Sequence, residues 1–241
     1  MVLNYKQIPY TESFISYPDI AAFTARYNIP DDESFGRPTL PAILHYDASG
    51  KLIKAMQNSI DIARYLDKIS PERLVLAAQP GGWGNAAEAY HAAAKVVLNG
   101  PWRAGVRIAM PTIPGILDER GSSWFIEDRK SMDSSGKGRS PEDWGSEDPE
   151  DDWKEFIPTL KTLAATLDHT TKEAPFALGR EPSYADFALA GYVAWYQRGS
   201  QKVYERMIKE TGGEQGAFAR HYKACEPFVL GEGKVEEYVA E

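Results

Sequence analysis

The chain has 241 residues, 43% hydrophobic and 26% charged, a balance that excludes a disordered polymer and suits one large or two small globular domains. Its net charge of -8 repels a phosphate backbone, so nucleic acid is not an expected partner, and its single cysteine, Cys225, excludes an internal disulfide. No run of about 18 apolar residues offers a membrane span, and neither MVLNYKQIPY nor EEYVAE has the pattern of a targeting or lipidation signal, so the expected location is the cytosol.

In chain order, residues 10–16 carry Thr11, Phe14 and Ile15 and predict a strand. Residues 42–46 and 52–56 are short apolar runs. Between them Asp47, Ser49 and Gly50 favour a tight turn, so the pair predicts a β-hairpin. Ser59 opens a helix whose Ile62, Leu66 and Ile69 fall on one face, spaced to meet a sheet. Residues 71–84 hold Pro71, Pro80 and several glycines and are the expected linker.

Everything beyond the linker predicts helix, and no strand is expected after Met56. Residues 86–98 are alanine-rich. Residues 153–167 space Phe156, Leu160, Leu163 and Leu167 at the helical period, and residues 184–197 do so with Phe187, Ala190, Ala194 and Trp195. Tyr204, Met207, Ile208, Phe218, His221 and Tyr222 continue the pattern. Residues 131–149, rich in Ser, Gly, Pro and acids, predict a long surface loop. The acidic run through Asp152 suits a solvated helix start better than a metal site, because it lacks the alternation and central glycine of a calcium loop. His45, His91, His169 and His221 have no metal-ligand spacing, and no metal is expected. The fold class expected is α/β plus all-α: residues 1–70, a linker over 71–84, and a helical domain over 85–241.

Several local patterns carry chemistry. In Arg37-Pro38-Thr39-Leu40-Pro41 a proline enters a strand, and a cis bond there would present the Leu40 N–H and C=O outward for an extended peptide. Local sequence alone favours an ordinary trans proline, cis being only about 5–6% of such bonds. Asn58-Ser59 stands at a helix N-terminus, where a serine either caps the helix or shares its hydroxyl with a bound carboxylate. Ser183 and Asp186 form a capping box, with Pro182 and Phe187 as its staple, which is a folding signal.

The order Leu40-Pro41, hairpin, Asn58-Ser59-Ile60-Asp61-Ile62-Ala63-Arg64-Tyr65-Leu66, helical region, Ser183-Tyr184-Ala185-Asp186 resembles the glutathione S-transferase superfamily. The Tyr5-Lys6 and Ser183-Tyr184-Ala185-Asp186-Phe187-Ala188 wording is similar to its fungal branch related to β-etherases. The resemblance implies a thioredoxin-like domain that binds glutathione as co-substrate, followed by a helical domain. It implies that Leu40 pairs with the cysteinyl backbone beside a cis Pro41, and that Ser59 holds the γ-glutamyl carboxylate. The family usually has Glu, Asp or Gln where this chain has Asn58, which keeps a carbonyl acceptor but offers the γ-glutamyl ammonium no anionic partner, so weaker binding is expected. Trp102, Trp124 and Trp195 are candidate walls of a second-substrate pocket, with core packing favoured for Trp195.

The family's first strand and the loop bearing its Ser, Cys or Tyr have no counterpart here, since Met1 aligns within its first helix. Without that strand, the two strands that flank it in the family's sheet, its second and third, are each expected to show an open edge, and no catalytic residue is assigned. Tyr5, Tyr10 and Ser16 lie nearby without a distinguishing mark, and Cys225 is expected in the core. Two functions follow from the resemblance. One is a homodimeric enzyme that conjugates glutathione to an electrophile or cleaves an ether with it, in fungal detoxification or secondary metabolism. The other is a non-catalytic binding or scaffold protein on the same fold.

Overall fold

The computed structural model describes residues 1–33, 36–76, 102–133, 136–145, 148–170, 174–229 and 234–237. The helix expected over 86–98, the linker beyond residue 76 and the Trp102 side chain lie outside the described residues.

The first part alternates short elements: α1 (Val2–Lys6), β1 (Thr11–Phe14), α2 (Ile20–Arg26), β2 (Ala42–Tyr46), β3 (Leu52–Gln57) and α3 (Ser59–Ile69). β2 and β3 form the predicted antiparallel hairpin. Its turn is organised by Asp47, whose Oδ1 accepts the Ser49 N–H at 2.8 Å and the Lys51 N–H at 3.1 Å, while Gly50 takes φ 83°. On α3, Ile62 and Leu66 are buried as their spacing predicts, together with Ala63. Ile69 is exposed instead, because the chain leaves the helix at Ser70 and turns through Pro71.

Helices α4 (Trp102–Ala109), α5 (Glu119–Ser131), α6 (Pro149–Thr170), α7 (Tyr184–Gly199), α8 (Gln201–Glu210) and α9 (Ala217–Val229) follow. Phe156, Leu160, Leu163 and Leu167 of α6 are all buried, as their spacing predicts. They pack with Val193, Met207, Phe218, Tyr222 and Cys225 into the main core. A smaller cluster of Tyr5, Ala63, Val75, Leu76, Tyr184 and Phe187 joins α1 and α3 to the start of α7. Behind it lies a buried ion pair: Lys6 Nζ meets Asp67 Oδ1 at 2.8 Å and donates to the Ser70 and Arg73 carbonyls at 2.7 Å. These partners satisfy an ammonium that no water reaches.

The start of α7 is built on Asp186. Its carboxylate reaches back to the Ser183 N–H at 2.8 Å, as the capping-box pattern predicts, and accepts the Ser183 hydroxyl at 2.6 Å. It also accepts the Ala177 N–H and faces His221 Nε2, both at 2.8 Å. Burial opposes its ionisation, yet His221 and the other donors outweigh burial and hold the carboxyl below its usual range.

One expectation needs correction. It is that no strand follows Met56. β4 (Lys234–Glu237) lies parallel to β1, with Thr11 opposite Lys234 and Phe14 opposite Glu237. Lys-Val-Glu-Glu has no strand alternation of its own, but β1 offers it a row of backbone donors and acceptors. The expected open edge of β1 is therefore covered on one side. Residues 131–149 form the expected surface loop between α5 and α6 among the described residues, and the acidic run opens α6 as expected; what the sequence did not show is that Asp133 and Asp152 are buried. Asp133 binds Arg139 through its backbone N–H at 2.9 Å and its guanidinium at 3.1 Å. In the acidic run, Glu150 pairs with Arg206, Asp151 with Lys154 at 2.8 Å, and the buried Asp152 with Arg107 at 2.5 Å.

Tyr196 leaves its hydroxyl without a hydrogen-bond partner among the described residues. That oxygen lies against Gly105, where any side chain would collide with it and with Phe156. A buried hydroxyl without a partner costs about 1–3 kcal/mol. Tyr196→Phe is therefore expected to leave stability unchanged or raise it by about 1 kcal/mol in urea unfolding. A clear loss would mean that the hydroxyl is bonded.

Candidate functional site

Hairpin register assembles the site. Ala42 and Gln57 are Cα partners at the open end of β2 and β3. Leu40-Pro41 therefore enters the hairpin beside the place where Asn58-Ser59 leaves it, although the two segments are far apart in sequence. Gln57, buried at this end, ties them further. Its Oε1 accepts the Thr39 N–H at 2.6 Å, and its Nε2 donates to the Pro30 carbonyl at 2.5 Å. The Leu40–Pro41 bond is cis, the form that the resemblance implies and local sequence does not favour, and Leu40 is 41% exposed.

Asn58, not Ser59, caps α3. Asn58 takes a positive φ of 75°, and its Oδ1 accepts the Ile60 N–H at 3.2 Å. The capping role expected for a serine here is thus filled by its neighbour. Ser59 is the first helical residue, exposed, with its hydroxyl directed elsewhere: Ser59 Oγ lies 2.8 Å from the hydroxyl of Tyr184. The N-terminal end of an 11-residue helix, with its aligned dipole and free N–H groups, favours an anion at this point. Asp61 in the first turn adds negative charge, but Arg64 pairs with it at 2.7 Å.

The charge missing at position 58 has a neighbour. Asn58 Nδ2 donates to Oδ2 of Asp32 at 2.8 Å, and Asp32 is only 5% exposed. The Asp32 N–H donates to the Arg37 carbonyl at 3.1 Å. Arg37 in turn binds Asp128 of α5 at 3.0 Å, which anchors the Arg37–Pro41 segment to the helical part. Asp19 with Arg120 at 2.7 Å and Ser16 with Asp118 at 3.0 Å fasten the same two parts together.

Other candidates resolve differently. Trp124 is 37% exposed and stacks on Tyr17, with ring centres 5.4 Å apart and planes 11° from parallel. Trp195 packs against the main core, edge-on to Tyr196, as its helical face predicts. Tyr5 is buried, donates to Glu181 at 2.9 Å, and has its phenol pushed up to about 12, first by burial and then by that carboxylate. Cys225 is fully buried, and burial pushes its thiol well above the ordinary range. His45 pairs with the Tyr65 hydroxyl at 2.6 Å. A charged cleft of about 410 Å³ lined by Glu150, Lys202, Glu205, Arg206, Lys209 and Glu210 takes no residue from the Leu40–Ser59 region.

Sequence reasoning missed Gln57, Asp32 and the part played by Tyr184. Gln57 had a signal, its place opposite Ala42 in the hairpin. Asp32 and Tyr184 had none, since each reaches the site from a distant element.

Asn58→Asp sets a carboxylate against Asp32. Like charges so close do not both ionise freely, so the pair takes a proton above the ordinary carboxylate range in the folded chain. Stability is then retained at low pH and lost as pH rises through that raised value. Relative to the parent at the same pH, the urea-unfolding loss should be larger at about pH 7.5 than at about pH 4.5 by roughly 1 kcal/mol or more. Equal losses would mean that Asp32 carries no charge there.

Comparisons with known proteins meet this geometry. The family description "Glutathione S-transferase, C-terminal domain" matches residues 87–228. The glutathione S-transferase-like protein ustS of Aspergillus flavus is 29% identical over 246 residues, covering 99% of this chain and 85% of that protein. A glutathione S-transferase of Ceriporiopsis subvermispora, solved in complex with glutathione, superposes with a TM-score of 0.75 at 27% identity, covering 95% of this chain and 88% of the other. A glutathione transferase of Phanerochaete chrysosporium, at 22% identity, shares the fold with a TM-score of 0.75, covering 96% of this chain and 88% of its own. With more than half of its length matched by the family's own domain and its whole architecture shared with fungal members, the chain belongs to the glutathione S-transferase family.

Proposed function

We propose that this protein binds glutathione at the open end of the β2–β3 hairpin and directs its sulfur at a small electrophilic substrate. The observation that carries this reading is the exposed Ser59 hydroxyl at the head of α3, released from capping by Asn58 and set beside Leu40-Pro41 by the hairpin register. The γ-glutamyl end of glutathione has a carboxylate and an ammonium. Ser59 and the helix N-terminus suit the carboxylate, and the Asn58–Asp32 pair suits the ammonium. The Leu40 main chain suits the cysteinyl backbone as an added strand.

In the reaction, the glutathione thiolate forms a carbon–sulfur bond with the electrophile. The leaving group departs with its electron pair, and where the bond broken is an ether the departing oxygen takes up a proton. Supporting an enzyme are the family and the relative's description as glutathione S-transferase-like. Detoxification or secondary metabolism in a fungus, a cytosolic location and a homodimer belong to the same reading. A second reading, a non-catalytic binding protein, is favoured by one observation. Ser16 is bonded to Asp118 and Tyr5 to Glu181, so these hydroxyls near the N-terminus are already committed.

Calorimetric titration of glutathione is expected to show saturable binding that Ser59→Ala weakens about tenfold or more, the scale of a lost hydrogen bond to a charged group. Turnover of a generic aryl halide, reduced in the same variant, would identify the enzyme; binding without turnover would favour the second reading. Light scattering on a sizing column should give twice the chain mass at high concentration, and a monomer there would remove the dimer from the proposal.

A further inference from the structure

The Ser59 hydroxyl does not stand alone. Tyr184, which leads α7, is buried in the small cluster with Tyr5, Ala63, Val75, Leu76 and Phe187, and its N–H donates to the Val75 carbonyl at 3.0 Å. Ring and backbone are therefore both held, and only the phenol oxygen reaches out, to Ser59 Oγ at 2.8 Å.

This pair has two proton arrangements. If Ser59 donates to Tyr184, its only proton is spent inward and it turns lone pairs toward an arriving anion. If Tyr184 donates to Ser59, the serine proton is free to point outward. A phenol is the stronger acid and the better donor of the two, and a chain of hydrogen bonds ending on an anion polarises each member in the same sense. A carboxylate at the head of α3 selects the second arrangement.

We propose that Tyr184 is a positioning residue for the glutathione site: by donating to Ser59 Oγ it aims the serine O–H at the bound carboxylate. The helical part of the molecule thereby sets the affinity of a site whose other named groups come from the hairpin and the loops around it. This inference rests on the glutathione reading of Ser59 given above.

A double-mutant cycle read by glutathione calorimetry tests it. Tyr184→Phe keeps the ring and the cluster and removes only the donor. It is expected to weaken binding about three- to tenfold, the range of one hydrogen bond. The double variant with Ser59→Ala is expected to bind no more weakly than Ser59→Ala alone, because the phenol acts only through the serine. Phe187→Leu, in the same cluster but without a polar atom to offer Ser59, is expected to bind like the parent. The inference is overturned if Tyr184→Phe binds like the parent, if the two losses multiply, or if Phe187→Leu weakens binding as much as Tyr184→Phe. A Ser59→Ala variant that binds like the parent, or a parent that does not bind, overturns the glutathione reading and this inference together.

Discussion

The buried carboxylate of Asp186 is the constraint on which the rest is arranged. A charge in that position is costly unless donors surround it, and here they come from separate places: Ser183 beside it, Ala177 on the approach to the helix, and His221 on α9. Satisfying one anion thus fixes where α7 begins, how the preceding segment approaches it, and how α9 lies against it. Cys225, one turn from His221, fills the remaining space as a buried and unreactive thiol.

That arrangement reaches the candidate site through one side chain. Once α7 is fixed at Ser183, its first residue is Tyr184, pressed between α1 and α3. The buried Lys6–Asp67 pair holds the other side of the same cluster, and Asp67 also accepts the Val75 and Leu76 N–H groups at 3.1 and 2.8 Å. The glutathione reading therefore places the ligand on a hairpin end whose polar groups are braced from the helical part. Arg37–Asp128 does this for the Leu40 segment and Tyr184 does it for Ser59.

β4 shows the opposite relation between local sequence and structure. Its residues are mostly charged, and nothing in them calls for a strand. Backbone groups along the edge of β1 are better paired than left as an open template, and a charged strand is suited to lie at a sheet margin. The pairing is set by what the edge needs rather than by what the segment prefers.

Patterns that depend on near neighbours were legible in the sequence. The hairpin followed from two apolar runs around Asp47-Ala48-Ser49-Gly50, the core face of α6 from Phe156, Leu160, Leu163 and Leu167, and the start of α7 from Ser183 and Asp186. Leu40, Pro41, Asn58 and Ser59 stand at the ends of such elements, but only the family resemblance gave them a glutathione role. Tertiary structure alone decided what these residues meet. Ser59 was freed from capping because the Asn58 side chain takes the cap itself, Asp32 came to back Asn58, and Tyr184 reached Ser59 from 125 positions away. The physical reason is range. Helical and strand periods and turn chemistry act over a few residues and are written in the order of the chain. A hydrogen bond between distant side chains exists only after burial has chosen which elements touch.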